Sequence, residues 1–141
     1  MRHSVLVFIC AVEPLQVLLL KRTAERGGWW QPVTGHVEPG ERPEEAAGRE
    51  TREETGWMPD RLIRTPWTAQ FEHLGQTYRH TVWIACCPRP FVPHLSSEHT
   101  DSRWVDPGRA EKMLFWPDNR ELLFRVTDWL ERQRRMDGGI T

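Results

Sequence analysis

Three glutamates recur at helical spacing near the middle of the chain. Glu50, Glu53 and Glu54 lie in the run of residues 35–57, GHVEPGERPEEAAGRETREETGW. At about 100° per residue, the three side chains fall within an arc of roughly 100° on one side of a helix. Like charges at these spacings repel one another, whereas a bound cation relieves the repulsion. Mg²⁺ takes oxygen ligands and keeps waters and phosphates in its shell, so the pattern indicates a site for a hard divalent cation. A solvated acidic helix is the alternative.

The helix that carries these glutamates is predicted to span about residues 43–55. Pro43 suits a first helical turn, where the missing N–H needs no partner. Gly56 suits the end of a helix, because glycine adopts left-handed dihedral angles without strain. Next round the helix come the small residues Ala47, Gly48, Thr51 and Thr55. We expect this small face to lie close against a sheet.

The same stretch resembles the Nudix box. The fixed glycine and charged positions of that motif are filled by Gly35, Glu41, Arg49, Glu50, Glu53, Glu54 and Gly56. Thr51 and Trp57 depart mildly from it at apolar positions. The flanking runs WWQPVTG and SSEHTDSRWVD resemble the Nudix subfamily of dihydroneopterin triphosphate and dATP pyrophosphohydrolases. The resemblance covers about residues 5–129 and implies the Nudix fold.

The resemblance also implies a set of metal ligands. It places metal-binding glutamates at Glu50, Glu54 and the distant Glu98. It places Glu53 on the same face as a ligand of a second ion. Gly35 would offer its backbone carbonyl, because only a glycine lets the loop approach so closely. Taken alone, Glu98 would be a surface-loop residue.

The reaction implied by the family is cleavage of a phosphoanhydride by water. Metal ions lower the pKa of a bound water, and a carboxylate that is not bound to the metal can take its proton. Glu53 and Glu98 are both candidates for this base, and the sequence does not choose between them. Arg49 would orient the carboxylates, with a simple Glu45 ion pair as its alternative. Arg22 and Thr34 match positions that contact substrate, although a strand-end arginine can also be a solvated charge.

The elements around the box predict an α+β fold, an α/β/α sandwich with a mixed sheet, a catalytic loop and helix, and a C-terminal helix. Strands are predicted at 4–12, 17–20, 61–72, 77–87 and 102–105, a polar loop at 23–28, and helices at 109–114 and about 119–135. Pro66 is expected to bend its strand, and Asp118 to cap the last helix. The buried stripe of that helix is predicted to be Leu122, Leu123, Val126, Trp129 and Leu130. Residues 136–141 are expected to fray.

Length and charge bound the remaining possibilities. The 141 residues suit one domain over 1–141. A formal net charge of −1 gives no sign of a nucleic-acid or membrane partner, and no apolar run is long enough to span a bilayer. Cys10, Cys86 and Cys87 form no CxxC pair and lie in apolar runs, so each is expected to be a buried, reduced thiol of a cytoplasmic protein. A monomer and a homodimer both remain open.

The sequence therefore predicts a Mg²⁺-dependent Nudix pyrophosphohydrolase, with Mn²⁺ as a possible substitute. The expected substrate is a small nucleoside or pterin triphosphate, such as dATP or dihydroneopterin triphosphate, cleaved to a monophosphate and pyrophosphate. Hydrolysis of dinucleoside polyphosphates or RNA 5′ ends is one alternative. A non-catalytic nucleotide-binding regulator is another, and the complete set of glutamates argues against it.

Overall fold

The first strand, β1 (Arg2–Val12), is almost continuously apolar because it lies at the centre of a mixed sheet. One edge of β1 pairs in parallel with β6 (Gln76–Cys87). Its other edge is shared by two antiparallel strands, β4 (Val33–His36) and β2 (Leu15–Arg22). Neighbours thus cover both edges of β1, and residues 4–11 are all buried. A strand buried on both faces reads as a run of hydrophobic residues.

The computed structural model describes residues 1–136. The remaining strands are β3 (Trp30–Gln31), β5 (Leu62–His73) and β7 (His99–Val105), which extend the sheet beside β2 and β6. The helices are α1 (Pro43–Thr55), α2 (Pro107–Met113) and α3 (Pro117–Met136), with a short 3₁₀ turn at Ala24–Arg26. No helix among these residues is long and apolar enough to cross a membrane.

Two apolar layers lie on opposite faces of the sheet. On one face, the alternate β1 residues Leu6 and Phe8 pack with α2 and with the α3 stripe. Four of the five predicted stripe residues are buried, and Trp129 is partly exposed at the margin of the cluster. On the other face, Val5, Val7 and Ile9 pack against Ala46 and Ala47 of α1. The predicted α/β/α sandwich is confirmed.

Several element boundaries differ from the sequence prediction. Strand β7 begins at His99 rather than at 102, because its pairing with β2 resumes at an Arg22–His99 pair after a register shift between Lys21 and Arg22. Helix α2 begins at Pro107, where Asp106 caps it by accepting the Arg109 N–H at 2.9 Å. The extension of β7 depends on pairing that the local pattern does not reveal, whereas Asp106 followed by Pro107 is a local start signal that the prediction overlooked.

The N-cap predicted for the last helix was wrong. Helix α3 begins at Pro117, so Asp118 lies inside its first turn. The fixed φ of proline and its missing N–H suit a first helical position. Met136, expected to fray, is the last residue of α3, and the rest of the predicted frayed segment lies outside the described residues.

The hairpin of β5 and β6 follows the prediction. The two strands are joined at Leu74 and Gly75, both at positive φ. The register shifts between Arg64 and Thr68, around Pro66, as the expected bend requires. Proline has no N–H to give to a ladder, so it is tolerated at such an irregularity in an edge strand.

The three cysteines are free thiols. Cys10 and Cys87 are buried as predicted, whereas Cys86 is partly exposed.

Candidate active site

Helix α1 has the bounds that its sequence signals predict. At its start, the Arg42 N–H donates to the Glu45 carboxylate at 3.0 Å, and the Glu45 side chain also accepts from the Arg42 guanidinium. Glu45 is therefore committed to Arg42, and the alternative pair with Arg49 is not formed. Gly56 ends the helix at φ 76°. Ala47, Thr51 and Thr55 of the small face are buried as expected, and Gly48 is partly buried.

One arginine organises the acidic face of α1. The Arg49 guanidinium donates to both oxygens of Glu41 at 2.8 and 3.0 Å, to Glu50 at 2.8 Å and to the His36 carbonyl at 2.9 Å. It also reaches Glu53 at 3.2 Å. The hydrogen bond from Arg49 lowers the pKa of Glu41, and the same bond raises the pKa of Arg49. A single cation thus orients the Glu41 and Glu50 carboxylates and makes a longer contact with the exposed Glu53.

Glu54 is different, because it is buried and lies beyond the contacts of Arg49. Only 3% of Glu54 is exposed, and its Oε1 atom has no hydrogen-bond partner among residues 1–136. Burial raises the pKa of Glu54 to about 10, helped by a hydrogen bond with Glu50 and opposed by one from the Thr34 backbone. Without a cation, Glu54 is therefore a protonated acid at neutral pH.

His99 faces this carboxyl from β7. Its Nε2 lies 3.7 Å from Oε1 of Glu54, and neither ring nitrogen has a hydrogen-bond partner in the described part of the chain. Burial lowers the pKa of His99, so the ring is neutral and supplies no charge to Glu54. Buried polar atoms without partners are rare in folded proteins. Their presence here indicates a ligand that completes the site.

Gly35, the first glycine of the box, has no room for a side chain because of Glu50. Gly35 lies on β4, and a Cβ atom there would overlap the Glu50 carboxyl group. The backbone of β4 can approach the carboxylates only because that atom is absent.

These residues fit a hard divalent cation. They offer an unpartnered buried oxygen on Glu54, a neighbouring carboxylate on Glu50, and the close backbone of Gly35, and oxygen donors are what Mg²⁺ prefers. As the side chains stand, however, no three His, Cys, Asp or Glu residues within 1–136 converge closely enough to hold a metal ion.

Glu98 is the candidate that the structure does not bring to the helix. It lies just before β7, and its carboxylate forms an ion pair with Arg26 at 3.0 Å. Its charge is close enough to contribute to the raised pKa of Glu54, but its contact is with the loop. Sequence reasoning missed Arg26, because the contact depends on how the 3₁₀ turn faces β7.

The two predicted substrate residues have different surroundings. The Arg22 Nε atom donates to the Arg26 carbonyl at 2.9 Å, and its guanidinium lies 5.7 Å from the Trp29 ring centroid. Arg22 is thus an ordered side chain and not a freely solvated charge. Thr34 is partly buried on β4, on the strand face opposite Gly35.

An aromatic strip of His36, Phe71, Tyr78 and His80 lies on the α3 side of the sheet. The Phe71 ring stacks on Tyr78 at 5.0 Å and on His80 at 4.9 Å, and the His36 ring lies 5.4 Å from Tyr78. Ser4 hydrogen-bonds to Nδ1 of His80 at 2.8 Å, and burial lowers the pKa of His80 to about 4. His36 contacts both the strip and the acidic face. Its ring lies beside Tyr78, and its backbone carbonyl accepts a hydrogen bond from Arg49.

A separate cavity of about 430 Å³ lies between β5 and α3. Its walls include residues 66–70, together with Asp118, Glu121, Leu122 and Arg125.

Comparison with known proteins identifies the family. The NUDIX domain matches residues 1–126. The chain belongs to the Nudix family. The predictions of a Nudix fold and of a Nudix enzyme are confirmed.

Three relatives show how the family varies around this chain. Nucleoside triphosphatase NudI from Klebsiella pneumoniae subsp. pneumoniae is 42% identical over 120 residues, covering 74% of this chain and 83% of the relative. Dihydroneopterin triphosphate diphosphatase from Escherichia coli is 34% identical over 134 residues, covering 85% and 88%. An octanoyltransferase from Myxococcus xanthus is 35% identical over 127 residues, which cover 79% of this chain. This chain spans only 32% of that last relative's length.

Two solved structures share the fold. An Ap4A hydrolase binary complex from C. elegans aligns with a TM-score of 0.79 at 26% identity, covering 93% of this chain and 98% of the other. The E. coli dihydroneopterin triphosphate pyrophosphohydrolase aligns with a TM-score of 0.78 at 27% identity, covering 87% and 92%. The predicted likeness of the flanks to the dihydroneopterin triphosphate subfamily is thus matched in both sequence and structure.

Proposed function

We propose that this Nudix protein is a Mg²⁺-dependent pyrophosphohydrolase of a small nucleoside or pterin triphosphate. It would cleave between the α and β phosphates and release a monophosphate and pyrophosphate. The observation that carries the proposal is the buried, unpartnered oxygen of Glu54 beside the oriented Glu50 carboxylate. Relatives named for dihydroneopterin triphosphate and for nucleoside triphosphates support the substrate class.

Glu50 and Glu54 would hold the ion, with the Gly35 carbonyl as a further ligand. Bound Mg²⁺ neutralises charge on the phosphates and makes hydroxide available near neutral pH. Arg49 keeps the Glu50 carboxylate turned toward Glu54, so the pair need not be ordered when substrate arrives.

The proton of the attacking water goes to a carboxylate that is not committed to the ion. Glu53 is about half exposed and has only the long bonds to Arg49 at 3.2 and 3.4 Å, so it is free to accept a proton. Glu98 is the second candidate once it leaves Arg26. Glutamate is one of the side chains that act as general bases in enzymes, so both candidates have suitable chemistry.

The ring of the substrate would stack on the aromatic strip. A pterin or a purine is planar, and offset stacking on Phe71 contributes favourably beyond simple burial. Thr34 and His36 share the α3-side face of β4, next to the strip. Arg22 would hold the phosphates at the end of β2.

A second candidate is hydrolysis of dinucleoside polyphosphates. The likeness to the Ap4A hydrolase structure supports it, because that alignment covers 98% of the other chain. Its substrates carry two bases, so they require a second ring site beyond the strip.

A substrate panel distinguishes the two candidates. The purified protein is incubated with Mg²⁺ or Mn²⁺ and with dATP, dihydroneopterin triphosphate or diadenosine tetraphosphate, and pyrophosphate and phosphate are measured separately. Release of pyrophosphate from a triphosphate is expected. When the reaction is run in heavy-oxygen water, the labelled oxygen should be bonded to the phosphorus atom that was attacked. Preference for the dinucleoside over every triphosphate would support the second candidate. Chelation of the metal should stop either reaction.

A further inference from the structure

Arg26 holds Glu98 at a distance from the helix glutamates. The Arg26 Nη1 atom lies 3.0 Å from Glu98 Oε1, and about half of each side chain is exposed to solvent. The Glu98 backbone carbonyl is fixed as well, because it accepts the Thr23 N–H at 3.1 Å. The carboxylate can therefore swing while its backbone stays in place.

The turn that presents Arg26 is closed by several hydrogen bonds. The Thr23 carbonyl accepts the N–H groups of Arg26 and Gly28, each at 2.9 Å, and Arg22 caps the turn from its side chain. Gly27 closes it at φ 112°, where the Trp29 ring packs so closely that no Cβ would fit. Two guanidinium groups, Arg22 and Arg26, thus project from one ordered turn at the end of β2.

The contact between Arg26 and Glu98 is easily exchanged. Ion pairs between exposed side chains contribute little to stability, since water competes for both partners. A triphosphate carries more charge than a carboxylate, and a guanidinium binds phosphate oxygens in a matched, bidentate geometry. A triphosphate that reaches this turn would therefore displace Glu98 from Arg26.

We propose that Arg26 is a phosphate-binding residue that holds Glu98 only until a triphosphate takes its place. Exchange of the carboxylate for the phosphates frees Glu98 to turn toward Glu54, so substrate binding itself completes the site. The inference rests on the proposed function and adds a coupling to it: triphosphate and metal ion each favour the state in which Arg26 and Glu98 are separated.

The test measures two binding equilibria that require no turnover. Inorganic tripolyphosphate binding is measured by calorimetry in chelator, and Mn²⁺ binding by electron paramagnetic resonance without phosphates. Arg26→Gln should weaken tripolyphosphate binding at least about tenfold, as expected for a lost charge-assisted contact. The same substitution should tighten Mn²⁺ binding by about threefold, because Glu98 is released from an exposed ion pair. A purely structural role would not shift the two affinities in opposite directions.

Two controls make the result specific. Arg132→Gln breaks an exposed pair with Asp128 of similar length, 3.1 Å, on α3, and should change neither affinity. In a Glu98→Gln background, Arg26→Gln should no longer tighten Mn²⁺ binding, since no carboxylate remains to be released. Unchanged melting temperatures show that the variants are folded.

Each other outcome overturns the inference. If Arg26→Gln leaves tripolyphosphate binding unchanged, Arg26 does not bind phosphate. If the gain in Mn²⁺ affinity persists in the Glu98→Gln background, it reflects removal of a positive charge and not release of Glu98. A wild-type protein that binds neither Mn²⁺ nor tripolyphosphate would overturn the proposed function itself, and the inference with it.

Discussion

Replacing Glu54 with glutamine should remove activity and make the metal-free protein more stable at alkaline pH. The side chain is 3% exposed, its Oε1 has no partner among residues 1–136, and burial raises its pKa from the ordinary 4.5 to about 10. Glutamine has the shape of the protonated acid and keeps an acceptor for the Thr34 N–H and a donor for Glu50. The fold should therefore accept it without a cavity.

The sign of the pH effect follows from the direction of the pKa shift. The folded state retains a proton on Glu54 that the unfolded chain has already lost, so unfolding releases a proton between pH 4.5 and about 10. The stability that the Glu54 proton contributes is fully present below the pKa that Glu54 has in the unfolded chain. It is lost as the pH rises toward the pKa that Glu54 has in the folded protein. The limiting slope is about 1.4 kcal/mol per pH unit for a single group. Between pH 6 and 8 the wild-type protein should lose roughly 3 kcal/mol of unfolding free energy that the Glu54→Gln variant keeps.

Urea unfolding in chelator at pH 6, 7 and 8 measures this difference directly. Glu53→Gln is the matched control, because Glu53 is the neighbouring glutamate on α1 and is about half exposed. It should leave the pH slope unchanged. Saturating Mg²⁺ should stabilise the wild-type protein, which then binds the ion through an ionised Glu54, but should not stabilise the Glu54→Gln variant.

Two results would contradict this reasoning. If Glu54→Gln is as sensitive to pH as the wild type, the buried acid is not the source of the slope. If the variant hydrolyses its substrate at a near-wild-type rate in saturating Mg²⁺, Glu54 is not a metal ligand.

Three further substitutions test the other parts of the site. Glu98→Ala should lower kcat at least about a hundredfold, as for a positioned acid–base group, and a loss below about threefold would return Glu98 to a surface role. Arg22→Ala should raise KM more than it lowers kcat if its grip on the phosphates is equally strong in ground and transition states; an unchanged KM in steady-state kinetics would refute that grip. Gly35→Ala should lower the free energy of unfolding by about 1–3 kcal/mol, the usual cost of overpacking, because its Cβ overlaps the Glu50 carboxyl. A protein with normal stability in urea would show that β4 can move away.

The box was predictable because its signals are local. The bounds of α1 follow from a proline, a glycine and the spacing of three glutamates, all within one stretch of chain. The contacts of Arg49 with Glu41 and the His36 carbonyl are less local, since they require the loop before the helix to fold back over it. The sequence indicated that Arg49 orients carboxylates but not which ones.

Features that depend on strand register could not be predicted from the pattern. Strand β7 extends to His99 only because β2 continues beside it as far as Arg22. That extension places the His99 ring against Glu54 and the Glu98 side chain against the 3₁₀ turn. The register shift between Lys21 and Arg22 comes just before the Arg22–His99 pair, and no local pattern in the sequence indicates it.

The distribution of charge explains why Glu54 in particular calls for a cation. Glu41, Glu50 and Glu53 share the guanidinium of Arg49, and Glu98 has that of Arg26, so each of these carboxylates has a positive partner. Glu54 faces a neutral imidazole and another carboxyl group, and no arginine or lysine of the described residues forms an ion pair with it. A buried carboxylate without such compensation keeps its proton, because desolvation disfavours the charged form. In the proposed site, a divalent ion would be the partner that lets Glu54 ionise, at the one carboxylate of this group to which no arginine is paired.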